Sequence, residues 1–293
     1  MKKYFLFGIN SIKDFLKFSY MKVVYKFPKV NTIEETLDII LEQNKSFARY
    51  GDAEFNHMAN IAIGYQDGTK ELSIRLIEIL NSNSKTCLIC IPGSLHSLSG
   101  MVWQSKLMWM HLIGKFYKNY NSNFDFGKIY PNSLMTRPYM DLSNKNRSTS
   151  IFQKLKLIWE NRDIIIVEGE YTKLGVGNDL FSNSTSIKRL ITVSKNAFSK
   201  YDELYDEIKT YNKDCVVLIA LGATATVLAY DLSKIGFQAC DVGHMDIEYE
   251  WFLKKTLKKT AIDGKFVNEV STNNPMTSLN DEEYESQIIK KIM

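Results

Sequence analysis

The most constraining feature of the chain is a single unit at residues 215–241. Cys215–Leu221 is an unbroken apolar run that ends at Gly222. Ala225, Leu228, Ala229 and Leu232 then recur at helical spacing, Gly236 stops the pattern, and Phe237–Cys240 opens a second apolar run. A strand, a tight turn, a helix and a strand in that order form a crossover, which joins parallel strands. Strands without polar alternation belong in a sheet covered on both faces. The rest of the chain repeats the theme. Ser46–Tyr50, Thr86–Ile91, Ile164–Val167 and Arg189–Val193 read as further strands. Helical spacing marks 33–41, where Thr32 and Glu35 form a capping box, and then 71–80, 101–118, 151–159 and 198–209. The expected architecture is α/β, Rossmann-like, with a mainly parallel sheet and helices on both faces. Polar, turn-rich 119–148 is expected to be a mobile loop.

Charge divides the chain. Residues 1–30 carry seven lysines and one acid, Asp14, for +6, whereas the whole chain sums to only +4. That net charge is too mild to indicate a nucleic-acid partner. In the basic arm, Ile12, Phe15, Leu16, Val23 and Val24 fall on one helical face. Two readings stand: a helix docked on its own domain, or a peripheral contact with an anionic membrane. The division expected is a basic amphipathic arm at 1–30, a catalytic domain at 31–260 and a C-terminal tail at 261–293. The longest stretch without Asp, Glu, Lys or Arg, 86–105, contains Pro92, Gly93 and Gly100, so no transmembrane helix is expected. Nor does the N-terminus read as a signal peptide, since Gly8, Lys13 and Asp14 interrupt it. A cytoplasmic protein, at most at the inner face of the membrane, is the expectation. Cys87, Cys90, Cys215 and Cys240 lie in apolar runs and read as buried free thiols. The offset of three between the first two puts them on opposite faces of a strand.

In doubly wound sheets, ligands sit beyond the C-terminal strand ends. The loops so selected hold the candidate residues. Gly51 precedes Asp52 and Glu54, two carboxylates at i and i+2 that share a side if the loop is extended. Hard oxygen ligands of this kind suit Mg²⁺ or Mn²⁺ bridging a substrate phosphate, and Arg49 lies close enough in sequence to steady a phosphate. Gly175, Gly177, Asn178 and Asp179 form a tight loop with backbone donors for a nucleotide, although the third glycine of a dinucleotide fingerprint is missing. Lys195 adds positive charge, while Gly222 and Thr224 open a helix whose N–H groups suit an anion. The run from His244 to Trp251 is the most unusual. Read as a strand, Asp246, Glu248 and Glu250 share a face; read as a helix, Asp246 and Glu250 align and Glu248 sits apart. Glu248, with Asp246, is the expected general base, and His244 a possible metal ligand. His57, His96 and His111 are expected to be structural.

These segments resemble one family. FARYGDAEF at 47–55, IIIVEGEYTKLGVGNDLF at 164–181, SIKRLITVSKNAF at 186–198 and ALGATATVLAYDLSKIGFQACDVGHMDIEYEW at 220–251 are similar to bacterial glycosyltransferases of the GT-D fold, once known only as a domain of unknown function. The resemblance implies transfer of a sugar from a nucleotide donor, a UDP-sugar, to a glycan or glycoprotein acceptor, as in bacterial surface polysaccharide assembly. It also implies that a D-x-E motif, here Asp52 and Glu54 around Ala53, binds Mn²⁺ or Mg²⁺ and the nucleotide diphosphate. The alternative from the residues alone is a non-catalytic module that binds a nucleotide sugar or a sugar phosphate. Self-association is left open.

Overall fold

The computed structural model describes residues 2–267, 269–270 and 281–293, with side chains from Ile12 onward. The elements in chain order are α1 (Lys2–Val24), β1 (Lys29–Val30), α2 (Ile33–Gln43), β2 (Ser46–Arg49), α3 (Asp52–Met58), α4 (Lys70–Leu80), β3 (Cys87–Cys90), α5 (Trp103–Tyr120), β4 (Ile129–Tyr130), α6 (Asn146–Lys156), β5 (Asp163–Gly169), β6 (Ser186–Thr192), α7 (Tyr201–Ile208), β7 (Val216–Ala220), α8 (Ala223–Lys234), β8 (Gln238–Asp241), α9 (Met245–Leu253), α10 (Glu282–Gln287) and β9 (Ile288–Ile292). Seven strands form one sheet in the order β3-β2-β8-β7-β5-β6-β9. Every pairing in it is parallel.

Both faces of the sheet are covered, as the continuous apolar runs require. Ile164, Ile166, Val216 and Leu218 join the core under α2, α6 and α9. Their neighbours in sequence, Ile165, Val167, Val217 and Ile219, join the core under α7 and α8. The period-two pleat therefore divides each strand evenly between two hydrophobic layers. A third cluster packs α3, α4 and α5 beside β2 and β3. The capping box opens α2: Glu35 N–H donates to Thr32 Oγ1 at 3.2 Å, and Thr32 N–H donates to Glu35 Oε2 at 2.8 Å. Cys87, Cys90, Cys215 and Cys240 are buried free thiols.

Two expectations change, and the docked reading of the arm is met. The segment after α5 is a built wall. β4 pairs with β1, Ile91 N–H donates to Pro131 O and Ser133 N–H to Ile91 O. Its polar residues look loop-like in sequence because they serve the turns: Asn132 caps a short helical turn, and Ser133 Oγ donates to Tyr50 O at 2.7 Å. Between them Phe124, Tyr130, Met135, Tyr139 and Leu142 are buried. The C-terminal residues do not form a detached tail either. β9 adds an edge strand beside β6. Arg189 ties it in, donating to Gln287 Oε1 at 2.7 Å and pairing with buried Glu168 at 2.6 Å. Residues 271–280 of the expected tail lie outside the described residues. The arm is also part of the fold. α1 lies along α5, with Met21 buried and Asp14 paired to His111 at 3.1 Å.

Candidate active site

A cavity of about 390 Å³ opens at the C-terminal edge of the sheet. Its floor is made by the ends of β2, β7 and β8: Arg49 and Tyr50, Ala220 to Gly222, and Gly243 with His244. The N-termini of α3, α8 and α9 face it, each following a glycine-bearing turn. Helix N-termini carry unsatisfied N–H groups and partial positive charge, so three of them together favour an anion.

One ion pair holds the floor together. Arg49 Nη2 donates to Asp241 Oδ1 at 2.8 Å, and Arg49 N–H donates to Oδ2 at 3.2 Å. Thr226 Oγ1 links the same Oδ2 and Arg49 O, at 3.1 and 2.9 Å. Gly243 permits this arrangement. Its φ is +50°, and a Cβ there would lie 1.9 Å from Arg49 Nη2. Gly222 has φ +56°, and a Cβ there would lie 2.6 Å from the Tyr65 ring. Only glycine meets both demands, positive φ and a close neighbour. The Tyr65 phenol is held protonated by burial first, and then by the negative charges of Glu54, Asp52, Asp241 and Glu269 around it. Acids and helix termini thus meet in one chamber.

Asp52 and Glu54 both line the cavity. They sit in the first turn of α3, not in an extended loop, so their side chains diverge by about 200° around the helix axis. The turn forms because Gly51 N–H donates to Glu54 Oε2 at 2.8 Å. Asp52 is exposed while Glu54 is buried. Burial first, and the nearby charge of Asp241 second, push the Glu54 carboxyl up to about 7. Among the described residues no three His, Cys, Asp or Glu side chains gather as metal ligands. Asp52, Glu54 and His244 therefore do not make a three-ligand set. Two carboxylates lining one cavity are the ligand type a divalent cation takes beside water and substrate phosphates. His244 lines the cavity as a neutral imidazole. Burial lowers it to about 4, assisted by the positive charges of Arg137, Arg49 and Lys259 against the pull of Glu269.

The helical reading of 244–251 holds. Asp246 and Glu250 align on α9, where Lys265 Nζ donates to both at 2.7 and 3.1 Å. Asn178 Nδ2 also donates to both, at 2.7 Å each. Asp246 lines the cavity; Glu248 does not. Glu248 is fully buried, and its Oε2 accepts Tyr139 N–H at 3.1 Å and Met140 N–H at 2.9 Å. Its other oxygen faces Arg137 Nε at 3.5 Å. Glu248 anchors the wall segment and has no path to an acceptor hydroxyl, which overturns its expected role as general base.

Part of the expected nucleotide loop also lies elsewhere. Gly175 packs on Phe181, whose ring a Cβ would meet at 2.3 Å. Gly177 lines a separate hollow with Lys173 and Lys265. Asn178 serves the α9 acids, and Asp179 pairs with Lys156 at 2.7 Å and accepts from Tyr249 Oη at 2.7 Å. Lys195 is exposed outside the cavity, although its neighbour Ser194 lines it. Thr224 is buried two residues beyond Gly222, the last lining residue of its segment. Arg49, Gly51 and Gly222 remain at the cavity as expected. Sequence reading missed Tyr65, Arg137, Lys259 and Glu269. Arg137 donates to Glu269 Oε1 at 2.6 Å, and Lys259 stands 3.9 Å from the same oxygen. Burial works against ionising Glu269, but its neighbours His244, Arg137 and Lys259, in that order, draw its carboxyl below the ordinary range.

Two outcomes follow. Glu248→Gln should keep its turnover per folded molecule and lose about 1–3 kcal/mol of stability in urea titrations, since buried N–H donors lose a charged acceptor. A large loss of kcat at unchanged stability would restore its catalytic role. Glu54 makes a pH-dependent contribution. Its folded pKa, about 7, exceeds the ordinary 4.5, so the folded chain binds the proton more tightly than the unfolded chain. In chelator, stability should fall as pH rises from 4.5 to 7 and level off above, by up to about 3 kcal/mol. Glu54→Gln should remove that fall and match wild type below pH 4.5. Parallel pH profiles for the two proteins would contradict the burial argument.

Comparison with known proteins agrees with this geometry. The chain is 38% identical over 269 residues to glycosyltransferase GlyD of Streptococcus pneumoniae serotype 4, covering 90% of this chain and 33% of that protein. It is 34% identical over 264 residues to a probable glycosyl transferase, Gly, of Streptococcus gordonii, covering 90% of this chain and 39% of that one. The chain thus spans little more than a third of these relatives. A solved domain of unknown function 1792, described as having a distinct glycosyltransferase fold, superposes with a TM-score of 0.89 at 34% identity, over 96% of this chain and all of that one. A glycosyltransferase of the same domain type from Streptococcus sanguinis superposes at 0.86 with 35% identity, over 91% of this chain and all of that one. No described helix is long and apolar enough to cross a membrane. The family model for the glycosyltransferase GT-D fold matches residues 47–270, and the chain belongs to that family.

Proposed function

We propose that the chain transfers a sugar from a UDP-sugar to a hydroxyl of a glycan or glycoprotein. The observation that carries this reading is the convergence of three helix N-termini with Asp52 and Glu54 on one cavity. A nucleotide diphosphate needs that combination: N–H donors for its oxygens, and carboxylates for the cation that accompanies them.

Gly222 at the start of α8 and Gly243 at the start of α9 present backbone to the diphosphate. Arg137 and Lys259 add positive charge on the facing wall. Asp52 and Glu54 would hold Mn²⁺ or Mg²⁺, which supplies charge neutralisation for the departing nucleotide. The neutral His244 imidazole donates or accepts a hydrogen bond without adding charge. With Glu248 committed elsewhere, Asp246 is the expected catalytic carboxylate that faces the cavity. Asn178 and Lys265 hold both of its oxygens, so it fixes the start of α9 at the cavity and must exchange one of these partners before it can take the acceptor proton. The wall at 130–142, anchored by Glu248, keeps water from that side.

Calorimetry of UDP with and without Mn²⁺ tests the assignment. Wild type should bind UDP at least about tenfold more tightly with the metal, and Asp52→Asn should lose that response while melting as wild type does. An exposed acidic turn without a function would instead leave binding unchanged and shift stability by about 0.5 kcal/mol or less. Slow metal-dependent release of UDP from a panel of UDP-sugars should accompany binding. Tight binding with no release, with or without acceptor, would mark a non-catalytic module.

A further inference from the structure

Of the two readings of the basic arm, the helix docked on its own domain describes the inner face of α1. Its inner face packs on α5. Met21 is buried, Phe18 joins the same cluster, Gly114 admits Lys17 Cβ at 3.0 Å from where a Cβ would stand, and Tyr117 Oη donates to Lys26 O at 2.6 Å. The outer face is apolar and open. Ile12, Phe15, Leu16, Tyr20, Val23 and Val24 are 50–86% exposed. These positions cover about 180° of the helix, opposite Met21. Folded proteins rarely leave so many large apolar side chains contiguous on one exposed stripe.

What borders the stripe identifies its partner. Lys13 and Lys17 run along one side, and exposed Lys26 and Lys29 follow the helix end. The only acid in α1, Asp14, is turned inward to His111. The outward face therefore combines apolar side chains and lysines with no negative charge. A second copy packed stripe to stripe would set lysines against lysines. We propose that this face docks on an anionic lipid bilayer, with α1 lying flat in the interface, its apolar side chains among the acyl ends of the headgroup layer and its lysines on the phosphates. Because α5 both carries α1 and lends Met108 and Trp109 to the cavity, docking leaves the cavity mouth one helix from the lipid surface. This goes beyond the transfer reaction and does not depend on it.

Co-sedimentation with vesicles tests the proposal, using phosphatidylglycerol mixed with phosphatidylcholine against phosphatidylcholine alone. Wild type should partition onto the anionic vesicles only, and high salt should release it. Lys13→Gln/Lys17→Gln/Lys26→Gln should weaken partitioning on the order of 100-fold, roughly fivefold per lysine. Phe15→Gln/Leu16→Gln/Val23→Gln should weaken it at least about tenfold. Val23→Gln alone, at the most exposed position, touches no packing and must still lower partitioning. All variants should keep the UDP affinity of wild type, so failure here leaves the donor-site reading intact. Equal partitioning of wild type and Val23→Gln would overturn the proposal. So would a concentration-dependent dimer that the stripe variants dissociate, which would make the face a self-association surface.

Discussion

The Arg49–Asp241 pair is the contact on which the rest of the site depends. It joins the ends of β2 and β8, two strands far apart in the sequence that lie side by side as second and third in the sheet. A guanidinium and a carboxylate this buried are costly to desolvate, and the pair repays that cost only through its geometry. Here Arg49 N–H and the Thr226 hydroxyl complete the shell around Asp241. Breaking such a pair leaves a buried charge and costs about 3–5 kcal/mol. The pair also dictates its surroundings. Gly243 must be glycine to let the guanidinium pass, and α9 can begin only after that turn.

From this anchor the electrostatics of the cavity follow. Asp241 is close enough to Glu54 to help raise it, and Arg49 opposes the rise. Arg137 and Lys259 face Glu269, and burial above all, with Arg137, Arg49 and Lys259 assisting, keeps His244 uncharged. The chamber therefore has carboxylates at α3 and a paired cluster of Arg137, Lys259 and Glu269 away from them, with helix N-termini at its floor.

How much of this was legible in the sequence depended on which force set each element. Six of the seven strands were readable because a parallel strand buried on both faces must be apolar throughout, and their ends fell within three residues. β9 was missed because Ile288 to Ile292 contains Lys290 and Lys291, which an edge strand tolerates and a periodicity argument rejects. The extended geometry assumed around Asp52 failed for a local reason: Glu54 caps its own helix through Gly51, turning a loop motif into a first turn. The GT-D resemblance pointed to the C-terminal edge of the sheet, where Asp52 and Glu54 do line the cavity. It carried no information on Tyr65, Arg137, Lys259 or Glu269, which reach the cavity from irregular segments whose course is set by tertiary contacts. Glu248 misled because its chemistry suits a base. Only the fold reveals that its oxygen is taken by the backbone of Tyr139 and Met140.

The most direct test of this account is a crystal structure with UDP and Mn²⁺ bound. The account places the diphosphate over the Arg49–Asp241 floor, in hydrogen-bond reach of N–H groups at the start of α8, with the metal on Asp52 and Glu54. A nucleotide seated instead in the hollow beside Gly177 and Lys265, with the floor cavity filled by water alone, would contradict it.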